Sequence, residues 1–326
     1  MTAACIHRPG RWDEIEICRL PLPVCGRGDV LVQVEALAVN HVDRFVRSGA
    51  FPTALPLPFI IGRDLAGRIV AVGEAVENFS VGDRVWCNSL GHDGRQGSFS
   101  EYALAPAERV YPLPDGVDSA EAVSVVHSGA AAWLGLFREG RVHDGACIFI
   151  AGAAGGVGSA AVEMAHAAGA RVLASAAPAD AEWVASLGAA EVLDYRDPDR
   201  WHKLAAAAPE GLDLYWDQSG SHEYDQVLPL LARGGRVIIS AGLDARPELP
   251  VGELYTRDAS LRGFALSGAP VQDLADAAAS INQHLAAGRL RGRIARRLPL
   301  SQTAQAHRLL EKTGPDRVRG KLVVQP

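Results

Sequence analysis

Two patterns of apolar and polar positions divide the chain. Up to about residue 118, alternating or continuous apolar runs such as DVLVQVEALAV (29–39) and LAGRIVAVG (65–73) predict β-strands separated by glycine turns. From about 120 to 266, six short apolar runs alternate with Ala- and Leu-rich segments of helical spacing. Strands joined by helical crossovers predict an α/β fold with a doubly wound parallel sheet.

Domain boundaries are predicted where this pattern changes. A chain of 326 residues exceeds what a single hydrophobic core usually organises, so more than one domain is expected. We predict a β-rich segment over 1–120, an α/β segment over 121–266, and two helices followed by a last strand over 267–326. The prolines and glycine of YPLPDGVDS mark the first boundary.

Charge and hydropathy exclude several classes of protein. The formal charge of −6 and a pI near 5.9 argue against a nucleic-acid partner, because phosphate backbones are held by clustered Lys and Arg. The N-terminus MTAACIHRPGRWDEIEICRL lacks the apolar segment of an export signal, and no run reaches about 18 apolar residues. We therefore expect a cytoplasmic protein with no membrane partner.

The cysteines give no sign of a cross-linked framework. Cys5, Cys18, Cys25, Cys87 and Cys147 are scattered along the chain without a C-x-x-C pair. Such spacing indicates neither a disulfide framework nor a cysteine-rich zinc site, so we expect reduced thiols.

The glycine turn in CIFIAGAAGGVGSAAVEMA is the strongest binding motif. Strand, turn, helix and second strand follow one another as in a dinucleotide fingerprint, with Ala153 at the first glycine position and Gly155 and Gly158 at the others. Amides at the start of the helix would face a diphosphate. The residues predicted to line this turn are Ala153, Gly155, Gly156, Val157 and Gly158. The alternative is a merely structural tight turn.

The end of the second strand bears on the type of cofactor. NAD-binding proteins usually place an acid there to hold the ribose 2′-hydroxyl. This chain has the sequence SAAP from Ser175 to Pro178, which contains no acid. A 2′-phosphate would not be repelled, so NADP(H) is the expected cofactor. A cation for it must come from elsewhere, such as Arg196 or Lys321, each of which is otherwise an ordinary surface charge.

Several motifs together resemble a known family. They are VNHVDRFVRSG, GRDLAGRIVAVGEAVENFSVGDRVW, GRQGSFSEYALAPAERVYPLPDGVDSAEAV and the glycine turn with its flanking elements. In order and spacing they resemble the zinc-independent quinone oxidoreductase (zeta-crystallin-like) branch of the medium-chain dehydrogenase/reductases. The resemblance implies a GroES-like catalytic domain built from both chain ends beside an inserted Rossmann domain, and a homodimer.

The resemblance also suggests that catalytic zinc is absent. Zinc-dependent relatives hold the metal at positions that match Asn40, Arg63 and His127 of this chain. Asn is a poor zinc ligand and a protonated guanidinium would repel the ion, so no metal is expected. Without a Lewis acid, the easier reaction is hydride delivery to a conjugated acceptor, where charge spreads onto an oxygen that hydrogen-bond donors can stabilise.

Candidate catalytic residues follow from the same matching. Asn40 matches a residue beside the nicotinamide in the family, or makes only turn hydrogen bonds. Arg63 either points a cation at the acceptor oxygen or pairs with Asp43 or Asp64 without chemical effect. His127 either takes part in substrate binding and proton relay or is a satisfied core histidine.

The substrate pocket is expected to be apolar. Some quinone reductases carry tyrosines in the segment after VNHVD, and the matching positions here are Phe45 and Phe51. Further cofactor contacts are implied at the ends of later strands, at Tyr195, Gln218, Ser240, Ala241 and Gly242.

These inferences lead to one principal hypothesis about function. The sequence favours an NADPH-dependent, zinc-free reductase acting on a quinone or an α,β-unsaturated carbonyl. The alternatives are an enoyl-thioester or polyketide-tailoring reductase, and a non-catalytic NADPH-binding sensor.

Overall fold

The fold divides into two compact units. A computed structural model describes residues 1–326, apart from the side chain of Pro315. Unit one contains Met1–His127 and Pro270–Pro326, and unit two contains Ser128–Ala269. The predicted boundary after residue 120 relied on proline and glycine punctuation, whereas the observed boundary between His127 and Ser128 falls within a helix.

The secondary structure follows the predicted change from β-rich to α/β. The strands are β1 (Thr2–Ile6), β2 (Glu16–Arg19), β3 (Asp29–Ala38), β4 (Phe59–Ile60), β5 (Leu65–Val72), β6 (Arg84–Cys87), β7 (Tyr102–Pro106), β8 (Tyr111–Pro112), β9 (Cys147–Ala151), β10 (Arg171–Ala176), β11 (Glu191–Asp194), β12 (Leu212–Asp217), β13 (Leu231–Ile239), β14 (Ser260–Gly263), β15 (Ile294–Pro299) and β16 (Lys321–Gln325). The α-helices are α1 (His41–Ser48), α2 (Ser119–Trp133), α3 (Gly156–Ala167), α4 (Ala181–Ser186), α5 (Arg200–Ala207), α6 (Tyr224–Val227), α7 (Val251–Thr256), α8 (Val271–Ala286) and α9 (Thr303–Leu310).

Unit one is built around the long strand β3. It pairs antiparallel with β5, β7 and β16, within a sheet of order β15-β16-β3-β5-β6-β8. Because β16 comes from the C-terminal segment, both ends of the chain complete this sheet. Most of β3 is buried, and Val30, Val32 and Leu37 belong to the core of the unit.

A second, three-stranded sheet in unit one has the order β2-β1-β4. A disulfide joins Cys5 of β1 to Cys18 of β2, with their Cα atoms 6.2 Å apart. The expectation of reduced thiols is therefore wrong for this pair. Cysteines 13 residues apart become neighbours through the antiparallel pairing of the two strands, which the spacing alone does not reveal.

Unit two is a Rossmann domain. Its described strands form a parallel sheet in the order β11-β10-β9-β12-β13-β14. The order in which successive strands are added reverses at the centre, between β9 and β12, and doubly wound sheets open a ligand crevice at this point. The predicted α/β class is confirmed.

The apolar helix α2 continues as a π-helical turn over Leu134–Glu139. Together they are long and apolar enough to cross a membrane by length and composition. However, 78% of the most apolar 18-residue stretch of this helix is buried inside the protein. Such burial is what a core helix shows. The sequence contains no uninterrupted run of about 18 apolar residues, because serines, glycines and a histidine interrupt the apolar residues of this helix.

Helix α1 is fixed by a buried arginine near its end. The Arg47 side chain is 2% exposed, and it donates to the Gly10 carbonyl at 3.1 Å and to Glu311 at 2.6 Å. A further guanidinium nitrogen lies 3.2 Å from Nδ1 of His307. These contacts tie α1 to the N-terminal segment and to α9.

Replacing Arg47 by alanine should destabilise unit one strongly. Removing one partner of a buried ion pair typically costs about 3–5 kcal/mol, because the other charge stays buried and unpaired. Since Glu311 is partly exposed, we expect about 3 kcal/mol, measured as a loss of free energy of unfolding in urea. Arg27→Ala removes an exposed pair with Glu74 and should cost no more than about 1 kcal/mol. Equal effects of the two substitutions would contradict this role for Arg47.

Candidate functional site

Asn40 is held in one orientation by its neighbours. It stands between β3 and α1, where its backbone N–H donates to the Asp43 carboxylate at 2.8 Å and so caps the helix. Its side-chain Nδ2 donates to Asp64 Oδ2 at 2.8 Å, and its Oδ1 accepts a hydrogen bond from Lys321 Nζ. With donor and acceptor both engaged, the amide cannot flip without breaking these bonds.

Arg63 lies two residues before the start of β5 and is almost fully buried. Its Nε is 3.9 Å from Asp43 Oδ1, and its guanidinium carbon is 5.9 Å from the centre of the Phe51 ring. The structure thus places Arg63 beside Asp43, one of the two acidic partners that the sequence offered, and near Phe51, which the sequence predicted for the substrate pocket.

His127 adds an imidazole to the same group of residues. Its Nδ1 is 3.4 Å from Asp64 Oδ1 and 3.4 Å from the Asn88 carbonyl, and its side chain is 12% exposed. Asn88 in turn donates to the Val126 carbonyl at 3.0 Å, which links the end of β6 to α2. The sequence offered Asp64 only as a partner of Arg63 and did not indicate Asn88, because no motif reveals contacts made across the fold.

Asp43, Arg63, Asp64 and Lys321 form what we call the buried charge cluster. Two carboxylates and two cations share the space around Asn40, so their formal charges can balance. Burial, and next the charge of Asp64, raise the pKa of Asp43 to about 6, although Arg63 opposes the rise. Burial lowers the pKa of Lys321, while Asp64 and Asp43 oppose that fall. A proton can therefore be held on Asp43 at mildly acidic pH.

The cluster does not suit a zinc ion. The positions matched to zinc ligands hold an amide that already bonds Asp64 and Lys321, a buried guanidinium, and an imidazole. Two cations are already packed against the available carboxylates. Placing a divalent ion beside them would add repulsion without providing thiolate or further imidazole ligands.

In unit two, the glycine turn connects β9 to α3. Gly152 has φ of +75°, a conformation that favours glycine, and Gly155 stands at the N-cap of α3. A Cβ on Gly158 would lie 2.5 Å from the Gly152 carbonyl oxygen and 2.7 Å from the Ala153 Cα, so the helix can approach its strand this closely only with glycine there.

Ala153, which the spacing matches to the first glycine of the fingerprint, is fully buried. Its N–H donates to the Ser175 carbonyl at 2.9 Å, which joins the turn to the end of β10. Gly152, directly before it, supplies the left-handed backbone conformation of the turn. The predicted residues Gly156 and Val157 supply the first amides of the 12-residue helix.

The ends of β12 and β13 lie beside this turn. The Gln218 N–H donates to the Ala151 carbonyl at 3.1 Å, and a Cβ on Gly152 would lie 3.4 Å from Gln218 Cβ. The side-chain nitrogen of Gln218 is buried and has no hydrogen-bond partner among the described residues. Such an unused donor fits a ligand in the crevice.

His222, which no sequence motif indicated, connects these two strand ends. The His222 N–H donates to Asp217 Oδ2 at 2.9 Å, and its Nε2 is 3.1 Å from the Ala241 carbonyl oxygen. Gly242 leaves room for this ring, while the Ser240 hydroxyl accepts a hydrogen bond from Trp216 at 2.9 Å. Ser240 to Gly242 therefore shape the edge of the crevice.

Tyr195 lies beside the end of β10, and its place near the adenosine stays a prediction. Its N–H donates to the Ala176 carbonyl at 3.4 Å, and Arg196 stacks on its ring at 5.0 Å. Asp180 follows β10 by four residues, at the end of a turn that begins with Pro178, and it is buried. Lys321, the other cation considered, belongs instead to the charge cluster of unit one.

Comparisons with known proteins agree with this division of the chain. A family model of the alcohol dehydrogenase GroES-like domain matches residues 26–115, and one described as zinc-binding dehydrogenase matches residues 156–283. A quinone oxidoreductase of Sus scrofa is 34% identical over 88% of this chain and 86% of its own length. The chain belongs to the quinone oxidoreductase branch of the medium-chain dehydrogenase/reductase superfamily.

Solved structures of other medium-chain dehydrogenase/reductases have the same fold. An NAD-dependent alcohol dehydrogenase superposes with a TM-score of 0.90 at 30% identity, and a mycobacterial protein in complex with NADPH with a TM-score of 0.87 at 27% identity. Each comparison covers 100% of both chains. Unit one is thus the GroES-like domain and unit two the Rossmann domain of an oxidoreductase in this superfamily.

The raised pKa of Asp43 predicts a pH-dependent stability. Because the folded pKa is about 6 against an ordinary value of 3.8, the contribution is complete below pH 4 and is lost as pH rises through 6. Asp43→Asn removes this dependence, so the stability of the wild type relative to the variant should fall between pH 4 and 7 by up to roughly 3 kcal/mol. Urea unfolding at several pH values measures this difference.

Asp115→Asn is the matched control for this experiment. Asp115 is exposed, and its replacement should leave the pH dependence of unfolding unchanged. A difference between wild type and Asp43→Asn that stays constant, or grows as pH rises, would contradict the account of the buried carboxyl.

Proposed function

We propose that the protein is an NADPH-dependent, zinc-free reductase that delivers hydride to a quinone or an α,β-unsaturated carbonyl. The observation that carries this proposal is the buried Arg63 guanidinium beside Phe51, at the position where zinc-dependent relatives hold their metal. A fixed cation stabilises charge that develops on a conjugated oxygen, which is the role that a Lewis acid plays elsewhere.

The residues of unit two fit a dinucleotide. The amides of Gly156 and Val157 at the start of α3 would hold the diphosphate, and the Gln218 amide nitrogen supplies a further donor. When bound, NADPH would supply hydride from C4 of its nicotinamide. The mycobacterial relative solved with NADPH supports this choice of cofactor.

The preference for a 2′-phosphate rests on the end of β10. Residues 175–178 offer no carboxylate to a ribose 2′-hydroxyl, while the adjacent Tyr195–Arg196 pair brings a guanidinium to this strand end. The similarity to an NAD-dependent alcohol dehydrogenase, and the buried Asp180, make NADH the competing cofactor to be measured.

The chain's own groups would complete the reaction in unit one. Arg63 donates to the acceptor oxygen as negative charge develops, and Phe51 provides an apolar wall for a flat conjugated ring. Asp64 orients His127 and Asn40 through contacts of 3.4 and 2.8 Å. His127, which is partly exposed, is our candidate for passing a proton to the reduced oxygen.

Acceptor screening with Arg63 variants tests the activity. Purified protein should oxidise NADPH with quinones or enones, and Arg63→Ala should lower kcat/KM by about 10²–10³, as loss of one preorganised donor does. Arg63→Lys keeps the charge without the fork and should retain part of the rate. Arg27→Ala, at an exposed site, should match the wild type.

Other outcomes of the screen distinguish the alternatives. Turnover of enoyl thioesters but not quinones would favour the thioester reductase, for which the apolar Phe45 and Phe51 are suited. Binding of NADPH without oxidation by any acceptor would favour the sensor. A wild-type rate in folded Arg63→Ala would refute the proposed role of the guanidinium.

Cofactor discrimination should depend on Arg196. Arg196→Ala is expected to raise the Kd for NADPH about tenfold, equivalent to about 1.4 kcal/mol, and to leave the Kd for NADH nearly unchanged. Arg200→Ala is the control, because this neighbouring arginine is engaged by Glu223 at 2.8 Å. Parallel weakening of both cofactors by Arg196→Ala, measured by fluorescence titration, would contradict recognition of the 2′-phosphate.

The proposal includes a cytoplasmic homodimer. Strand β14 is an edge of the Rossmann sheet, and the nearby side chains of Val251 and Tyr255 are 60% and 69% exposed. An unpaired strand edge flanked by exposed apolar residues suits association with a second copy.

A further inference from the structure

Three metal-binding side chains meet on the small sheet of unit one. The ligand atoms of Cys5, His7 and Cys18 all lie within 4.8 Å of one another. Cys5 and His7 are two positions apart along β1 and its continuation, and Cys18 on β2 is paired with Ala3, two positions before Cys5. Side chains two apart on a strand share a face, which explains why all three project together.

The donor set is one that binds zinc-like ions. Two thiolates and an imidazole are soft or borderline ligands, which select zinc over magnesium or calcium. With bonds of about 2.0–2.3 Å, a tetrahedral ion holds its ligand atoms roughly 3.3–3.8 Å apart. The three donors already lie within reach of that geometry once the two sulfurs are free to separate.

The surroundings leave one coordination position open. Cys5 is fully buried, Cys18 is half-buried and His7 is exposed, so the site is anchored on one side and reaches water on the other. The cation next to His7, Arg8, is engaged by Glu14 through hydrogen bonds of 2.8 and 2.7 Å. The carboxylate of Glu14 therefore partly neutralises the positive charge of Arg8, which reduces its repulsion of a bound cation.

We propose that the dithiol form of Cys5 and Cys18, together with His7, binds one thiophilic divalent cation of the zinc class. In the structure the two sulfurs are joined. A phosphine and one water convert the disulfide into two thiols and the phosphine oxide. Binding of the ion then releases two protons from the thiols, and His7 coordinates through a neutral ring nitrogen.

His7 separates this proposal from a purely structural cross-link. A disulfide between β1 and β2 uses no imidazole, so His7 would then be an ordinary exposed residue. In the metal-bound form the same side chain completes a three-ligand set, with water as the fourth ligand. Oxidation and metal binding are mutually exclusive, because both use the same two sulfurs.

Cobalt titration of the full chain tests the proposal. Protein reduced with a trialkylphosphine under anaerobic conditions should bind one equivalent of Co²⁺ and show thiolate-to-cobalt charge-transfer absorption, which added Zn²⁺ abolishes. The oxidised protein should show none of this absorption. The readout is spectroscopic and does not depend on enzyme activity, so it is independent of the proposed function.

Variants at Cys18 and His7 make the test specific. Cys18→Ser should abolish the absorption, and His7→Ala should weaken Co²⁺ binding by more than the roughly tenfold that loss of an outer hydrogen-bond partner costs. Cys25→Ser, whose thiol donates to the Asp29 carbonyl at 3.1 Å, should bind like the wild type. Absence of the absorption in reduced wild type, its persistence in Cys18→Ser, or unchanged affinity in His7→Ala would each overturn the proposal.

Discussion

The pairing of two carboxylates with two cations around Asn40 is the constraint on which the catalytic unit depends. Asp43, Arg63 and Asp64 are buried and Lys321 is partly buried, and a buried charge is tolerated only when partners compensate it. Helix α1 is capped by Asp43, while β16 brings Lys321 back from the end of the chain. Local structure, topology and electrostatics thus meet at a single asparagine.

The Rossmann unit meets a different constraint, the close approach of backbone to a diphosphate. Gly158 allows α3 to contact the turn, and the helix then directs its unsatisfied amides toward the crevice. Asp217 and His222 hold the neighbouring strand ends with hydrogen bonds rather than with apolar packing. In the proposed reaction, unit two would hold the diphosphate of the cofactor and unit one would stabilise negative charge on the acceptor.

Much of the fold could be predicted because its strands and helices follow from patterns among residues close together in the sequence. Alternation in β3 and the strand–glycine–helix order at β9 and α3 depend on neighbours in sequence. The contacts that complete the candidate site could not be predicted in this way. Asp64 contacts His127, which is 63 positions further along the chain, and the Cys5–Cys18 bond depends on which strands pair. The left-handed backbone of Gly152 could not be predicted either, because a backbone angle is not visible in the sequence.

The central claim is that Arg63, a cation of the protein, stabilises the negative charge on the acceptor oxygen in place of a metal ion. It is tested most directly by the rate of NADPH-dependent quinone reduction after dialysis against a strong chelator, with and without added Zn²⁺. The Cys18→Ser protein should be used, so that an ion bound at Cys5 and His7 does not enter the comparison. The account predicts the same rate in both samples and no stoichiometric zinc. A rate that collapses after chelation and returns with zinc would contradict it.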